Sequence, residues 1–373
     1  MTTEMTPFPT VARLAKECGR EWPRFQEAAR QTSETERKIR EAITSRVGDR
    51  VLDTDSSLVL FGSFARYEMG IESDCDWTLL INGVVNNRHA ANARMIRDSL
   101  KLAKLNEPAA TGAFGNLCFS HDLVHKIGGG ADSNENLTRR ILMLLESRPM
   151  SLSETDSVVE VRQAVLRSIL ERYFEEDVHF SPKKKVPRFL LNDLTRYWRT
   201  VCVDYAAKHQ DQDGAKWALR NAKLRLSRKL LYAKGLAFCF QCHLAHEEND
   251  EEVNNGGQLR PVEPFIADAM RFADTPPLEF LAAFIDAFLT NENRRSACES
   301  IFGAYDLWLE LMGDQEQRIR LKDLSLADAT GDAVFQRVRQ ISKMFANGLK
   351  LLFFGRDSDK EEISDLSLEY VGF

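Results

Sequence analysis

The sequence predicts an α/β fold over residues 1–150, followed by an all-helical region over residues 151–355. Two observations support this prediction. Between about residues 50 and 150, short apolar runs alternate with helical patterns, which is typical of α/β proteins. After Pro149, the apolar residues recur almost only at helical spacing. With 373 residues, the chain is long enough for two domains.

The predicted elements of the first 150 residues are helices at 9–30 and 33–47, a strand at 57–61, a helix at 63–69, a strand at 76–81, a helix at 87–105, a strand at 116–124 and a helix at 136–147. The first strand is a short apolar run, which indicates burial. The turn signal Asn82-Gly83 closes the second strand. Asp132, Ser133 or Asn134 can cap the last helix of this region.

The helices predicted for the second region are 153–176, 188–210, 215–245, 262–272, 278–290, 294–313 and 331–350. The segment 356–373 is rich in Asp, Glu and Ser, and we expect it to be a loosely held acidic tail.

Composition limits the class of function. The net charge is −6 and the isoelectric point is near 5.8, whereas a protein that coats nucleic acid is usually basic. No run approaches the roughly 18 apolar residues that span a membrane, and the N-terminus lacks a secretory signal pattern. Seven scattered cysteines indicate free thiols. We therefore expect a cytoplasmic protein without a membrane partner.

The most informative segment runs from Gly62-Ser63, at the end of the first strand, to Asp74 and Asp76, at the start of the second. Strand alternation puts both carboxylates on one face and Cys75 and Trp77 on the other. Two adjacent carboxylates suit Mg²⁺, which takes further ligands from substrate phosphates. Glycine lets the backbone approach a phosphate, and Ser63 adds a hydroxyl donor. The pattern predicts a triphosphate site beside a metal site.

This segment resembles the signature of the DNA polymerase β-type nucleotidyltransferase superfamily over about residues 50–125. The resemblance implies a mixed sheet flanked by helices. It also implies that Gly62 and Ser63 hold the triphosphate of an NTP, with ATP as the expected one, and that Asp74 and Asp76 bind Mg²⁺ or Mn²⁺. Arg66 is expected either to face the phosphates or to stabilise the turn. Many members have Arg-Gly where this chain has Arg66-Tyr67.

The resemblance also implies a third carboxylate on a later strand, which binds metal and helps to deprotonate the acceptor hydroxyl. Asp122, near the end of the third predicted strand, is the best match, and Asp132 is the next. If neither residue reaches the metals, the protein relies on two acids or is inactive.

Two stretches, 183–199 and 216–234, carry basic faces; the first includes three lysines just before the helix predicted at 188–210. The second holds seven Lys and Arg residues and no acidic residue, and Lys216, Arg220 and Lys223 share one face. Arg220 and Lys223 are predicted to contact the nucleotide as part of the helical wall that such enzymes commonly use. The alternatives are contact with RNA or a solvated face whose long stems cover the core.

Metal-dependent transfer of NMP to an acceptor hydroxyl, with release of pyrophosphate, is therefore the expected function. The preferred acceptor is a protein or a small molecule, because the chain is acidic and has no recognisable RNA-binding module. Transfer to RNA, such as a tRNA end, and synthesis of an oligonucleotide messenger are alternatives. A different class of function is a nucleotide-binding regulator, or a protein partner in an antitoxin or defence complex.

Overall fold

The computed structural model describes residues 6–47, 52–70, 72–108, 113–152, 158–175, 186–211, 216–245, 262–355 and 361–371. These residues divide into two compact units. One unit comprises the described residues within 29–193 and 262–276, and it contains the sheet. The other comprises the described residues within 6–28, 194–245 and 277–371, and it is helical.

The strands among the described residues are β1 (Ser56–Phe61), β2 (Trp77–Ile81), β3 (Asn116–Phe119) and β4 (Ser147–Pro149). The helices among them are α1 (Pro9–Cys18), α2 (Pro23–Val47), α3 (Gly62–Ala65), α4 (Asn87–Leu102), α5 (Ser120–Val124), α6 (Asn134–Leu145), α7 (Val158–Glu175), α8 (Arg188–Asp211), α9 (Trp217–Lys223), α10 (Lys229–Leu244), α11 (Glu263–Asp274), α12 (Pro277–Phe288), α13 (Asn291–Gly313), α14 (Gln315–Asp323), α15 (Ala333–Phe354) and α16 (Glu361–Val371). A π-helical stretch, Leu224–Arg228, joins α9 to α10.

The strands of the described residues form one sheet in the order β3-β2-β1-β4. β1 is antiparallel to both β2 and β4, whereas β2 and β3 are parallel, so the sheet is mixed. The predicted fold class, an α/β part with a helical C-terminal region, is confirmed.

β1 and β2 are buried on both faces, which is why their sequences are largely apolar. One face carries the side chains of Leu58, Leu60, Trp77 and Leu79, which pack against apolar residues of α2 and α4. The opposite face of β1 packs against α7. A slip by one residue would move this apolar set to the opposite face, away from the residues of α2 and α4 that it fits, so the register is specified.

The helical unit is organised around α13 and α15, whose Tyr305 and Phe345 rings lie 5.8 Å apart. At the start of α1, the carboxylate of Glu279 accepts hydrogen bonds from the backbone N–H groups of Thr10 (2.8 Å) and Val11 (3.3 Å). These contacts satisfy helix-terminal donors that α1 cannot pair within itself.

Several predicted elements need correction. The strand predicted at 116–124 ends at Phe119, and Ser120–Val124 is a helix. Ser147–Pro149 forms β4, although the sequence analysis ended a helix there. In the segment predicted as an acidic tail, Glu361–Val371 forms α16, whose Ile363 and Leu366 are buried. The predicted domain boundary near residue 150 also differs from the observed division, because α7 belongs to the unit that contains the sheet.

Candidate active site

The turn after β1 requires glycine. Gly62 adopts a left-handed backbone conformation with φ of +64°, which side chains other than glycine rarely adopt. A Cβ atom at this position would lie 2.7 Å from Oδ2 of Asp76. The backbone N–H of Phe61 donates to the carbonyl of Asp76 over 2.9 Å. The end of β1 is therefore held directly against the Asp76 carboxylate.

The residues around Asp76 alternate in burial as strand geometry requires. Cys75 and Trp77 are each 1% exposed, whereas Asp74 is exposed and Asp76 is half-buried. Burial raises the pKa of the Cys75 thiol to about 12, and the carboxylates of Asp76 and Asp74 add to this rise. The Cys75 thiol is therefore neutral at physiological pH. The backbone N–H of Cys75 donates to the carbonyl of Asn106 over 2.9 Å, which anchors the segment before β2.

The chain between Gly62 and Gly70 is held in place by side chains from distant segments. The guanidinium of Arg148, on β4, lies 4.6 Å from the ring centre of Phe64 and 4.2 Å from that of Tyr67. The backbone N–H of Met69 donates to the buried hydroxyl of Thr32 over 3.0 Å. A cation over an aromatic face is attracted by the ring quadrupole, so Arg148 stabilises both rings.

Ser63 follows Gly62 in α3, which is a single turn of four residues. Its hydroxyl lies 3.2 Å from the sulfur of Met69, and its carbonyl accepts from the N–H of Glu68 over 2.7 Å. The role of Ser63 in holding phosphate stays a prediction.

Arg66 stabilises the turn rather than facing a ligand. Its side chain is 8% exposed, and it pairs with Glu68 over 2.8 Å and with the fully buried Glu146. Of the two roles predicted for Arg66, phosphate contact does not fit this burial. The guanidinium instead links the turn to the residue that precedes β4.

The structure does not place Asp122, the predicted third metal-binding carboxylate, at the end of β2 where Asp76 lies, and its metal-binding role stays a prediction. Asp76 precedes the first residue of β2, whereas Asp122 follows Phe119, which pairs with the last residue of β2, Ile81. Asp76 and Ile81 are about 17 Å apart at about 3.3 Å per residue. Asp122 instead lies in α5 and forms an ion pair with Lys126.

Asp132, the second candidate for the third acid, is also used structurally. It is buried and holds Arg140 through two hydrogen bonds of 3.0 and 2.9 Å. Arg140 is fully buried and also donates to Asp193 (2.8 Å) and to the hydroxyl of Tyr173 (2.7 Å). This network connects the start of α6 with α7 and α8, so Asp132 serves packing.

Arg220 and Lys223 lie on α9 in the helical unit, whereas Gly62, Asp74 and Asp76 lie in the unit with the sheet. Their predicted contact with nucleotide therefore stays a prediction. The basic face at 216–234 is smaller than the sequence indicates, because Lys234 is fully buried and burial lowers the pKa of Lys229. Residues 183–185 of the other basic stretch lie outside the described residues.

One cluster of potential metal ligands was not predicted from the sequence. Asp53 and Asp55, just before β1, lie near His89 in the first turn of α4, with one ligand atom from each within 4.8 Å of the others. Among the described residues, this is the only group of three His, Cys, Asp or Glu side chains close enough to share a metal ion. The spacing of Asp53 and Asp55 was a signal for a paired site, but nothing in the sequence joined it to His89.

The sequence matches no protein-family model, and no curated protein is significantly similar to it. Within the described residues, we find no helix with both the length and the apolar character needed to cross a membrane.

Proposed function

We propose that the chain binds an NTP together with a divalent cation at Asp74 and Asp76, and transfers NMP from it to an acceptor hydroxyl. One observation supports this function above the others. The left-handed turn at Gly62 approaches the Asp76 carboxylate so closely that no Cβ atom fits between them. A backbone segment without side-chain bulk beside a carboxylate is an arrangement that admits a phosphate and its cation together.

The donor set suits Mg²⁺ or Mn²⁺. Asp74 and Asp76 supply hard carboxylate oxygens, and Asp74 is exposed enough for the ion to retain water ligands. A cation bound here would neutralise charge on the phosphates and orient them. The protein holds the two carboxylates in place, since the buried Cys75 and Trp77 anchor this segment to the core.

The reaction forms one bond and breaks one. The acceptor oxygen attacks the α-phosphorus, and the bond from that phosphorus to the bridging oxygen breaks, so that pyrophosphate leaves with the electron pair. Because Asp122 follows the opposite end of β2, the acceptor proton passes to solvent rather than to a third carboxylate. Positioning of the substrates then supplies most of the rate enhancement.

A protein or a small molecule remains our preferred acceptor, because the net charge of −6 disfavours a polyanion. Transfer to RNA would use the basic residues of α8 and α9, and binding would then fall steeply with salt. Oligonucleotide synthesis would form products from NTP alone.

Nucleotide binding without turnover is a second candidate, favoured by the residue on β3 nearest the site. Thr78, two residues after Asp76, pairs with Asn116 on β3. This position on β3 therefore carries an amide rather than an acid. The side-chain oxygen of Asn116 accepts a hydrogen bond from Arg97 over 3.0 Å. A site with only Asp74 and Asp76 would bind nucleotide well and react slowly, as expected of a regulator or a defence-complex partner.

The discriminating experiment incubates the full chain with each α-labelled NTP and a cell extract, and measures pyrophosphate release and the fate of the label. Asp74→Asn and Asp76→Asn should each reduce release by about 100-fold or more, because each removes a charge that stabilises the transition state. Asp122→Asn is the matched control and should retain activity.

Label in protein, RNA or a small molecule would identify the acceptor. Nucleotide binding without pyrophosphate release, with every NTP and extract, would replace transfer by the second candidate. Full activity in Asp76→Asn would overturn both functions at this site.

A further inference from the structure

We propose that Asp53, Asp55 and His89 form a second divalent-cation site, specific for a borderline transition metal such as Zn²⁺ or Co²⁺. Asp55 immediately precedes β1, so this site lies at the end of the sheet opposite Asp74 and Asp76. It takes no part in the function proposed above, and its test does not depend on that function.

The backbone that carries the three residues is fixed by hydrogen bonds. The N–H of Ser56 donates to the carbonyl of Asp53 over 2.9 Å, and the N–H of Asn82 donates to the carbonyl of Asp55 over 2.8 Å. His89 lies on α4, whose start is capped by the side chain of Asn86. The ligand atoms are therefore presented by a braced loop and a capped helix, which lowers the ordering cost of binding.

The distances match those of ligands on one ion. Nε2 of His89 lies 3.2 Å from Oδ1 of Asp55. Two ligands of a tetrahedral ion, each bonded at about 2.1 Å, are about 3.4 Å apart. The Asp53 oxygen lies within 4.8 Å of both other ligand atoms, so a side-chain movement of about 1 Å completes the set.

Burial gives the site a closed inner side and an open outer side. His89 is 1% exposed, whereas the side chains of Asp53 and Asp55 are 24% and 31% exposed. One ring nitrogen of His89 faces Asp55, and the other, Nδ1, is buried without a hydrogen-bond partner in the described structure. Nε2, the nitrogen that faces Asp55, is the one available to a metal ion, and coordination there would replace its contact with Asp55.

The donor set selects the metal. One imidazole and two carboxylates suit Zn²⁺, Co²⁺ and Mn²⁺, whereas Mg²⁺ and Ca²⁺ prefer oxygen alone. Metal-bound histidines usually donate their second N–H to an acceptor, and Nδ1 of His89 lacks one. Loss of such an acceptor weakens binding by about 10- to 100-fold, so the affinity should be moderate.

Substitution of Arg88 offers a control that should not weaken metal binding. Its guanidinium lies 3.6 Å from Oδ1 of Asp53, and its side chain is 76% exposed. This positive charge competes with a metal ion for Asp53. Replacing Arg88 with glutamine should therefore preserve or tighten metal binding, while leaving the fold unchanged.

The test titrates Co²⁺ into the full chain in an Asp74→Asn/Asp76→Asn background, which removes the other proposed cation site. Equilibrium dialysis gives the stoichiometry, and visible absorption reports nitrogen–oxygen ligands as distinct from cysteine thiolates. We expect one ion per chain, displaced by Zn²⁺. Asp53→Asn and His89→Gln should each weaken binding by about tenfold or more, and Arg88→Gln should not.

Equal Co²⁺ binding in the background protein and in Asp53→Asn would overturn the site, as would thiolate absorption bands or the absence of binding. Because His89 is buried, its variant is checked by circular dichroism. Asp53→Asn, at a partly exposed position, decides the question if His89→Gln does not fold.

Discussion

Replacing Gly62 with alanine should move the Asp76 carboxylate and weaken cation binding. The left-handed backbone costs an alanine about 1–2 kcal/mol. The new Cβ would start 2.7 Å from Oδ2 of Asp76, so the carboxylate must rotate away. A rotation that takes a side chain off its preferred rotamer costs about 0.5–1.5 kcal/mol. The expected loss of stability is therefore roughly 2–3 kcal/mol, part of it from the displaced carboxylate.

Gly128→Ala is the matched control. Gly128 lies in the same compact unit and has a similar φ of +69°, but its nearest neighbour would be Cζ of Phe189 at 3.4 Å, an ordinary contact. Both substitutions also reduce the freedom of the unfolded chain equally, so this effect cancels in the comparison. Urea denaturation of both variants isolates the contact with Asp76.

A double-mutant cycle completes the experiment. Asp76→Ala removes the atom that the new Cβ would meet, so Gly62→Ala should cost less in that background than in the wild type. Binding of Mn²⁺, followed by electron paramagnetic resonance, should weaken in Gly62→Ala and stay unchanged in Gly128→Ala. Equal stability losses in the two glycine variants, or no coupling with Asp76, would refute the reasoning.

Two further predictions concern stability. Arg66→Ala should cost about 3–5 kcal/mol in urea denaturation, because it breaks the buried ion pair with Glu146. Arg37→Ala, which removes an exposed pair, should cost less than about 1 kcal/mol. Burial raises the pKa of Asp306 to about 6. The contribution of this shift to the free energy of unfolding is therefore complete below about pH 4, where Asp306 is neutral in both states. It is lost as the pH rises through 6. Asp306→Asn should therefore be more stable than the wild type by about 1–2 kcal/mol at pH 7.5, after allowance for its partial exposure, and not at pH 4. A gain that does not change with pH would contradict the second prediction.

Local patterns were sufficient to predict β1, β2 and most helices. The first two strands are apolar runs of five or six residues with clear turn signals, and their burial follows from composition. β4 was missed because Ser147–Pro149 is three residues long and has no alternation. It is a strand only because β1 pairs with it, which is information that the local sequence does not contain.

The same distinction separates the burial pattern around Asp76, which the sequence predicts, from the position of Asp122, which it does not. The alternation of Asp74, Cys75, Asp76 and Trp77 is local, and their burial follows it. The position of Asp122 depends on the register of β3, and on where β3 ends, neither of which the sequence states. A strand longer by three residues would have kept Asp122 on the sheet, but the chain turns into α5 after Phe119.

The rigidity of the Gly62 turn also comes from the strand that the sequence analysis missed. Arg148 on β4 lies over the rings of Phe64 and Tyr67, and Glu146, just before β4, pairs with Arg66. The turn is thus held in its conformation by residues about 80 positions away, before any ligand arrives. Since ordering a mobile loop reduces binding affinity, a ligand that binds beside Gly62 avoids that cost. Weakening this clamp at β4 should therefore impair ligand binding beside Gly62.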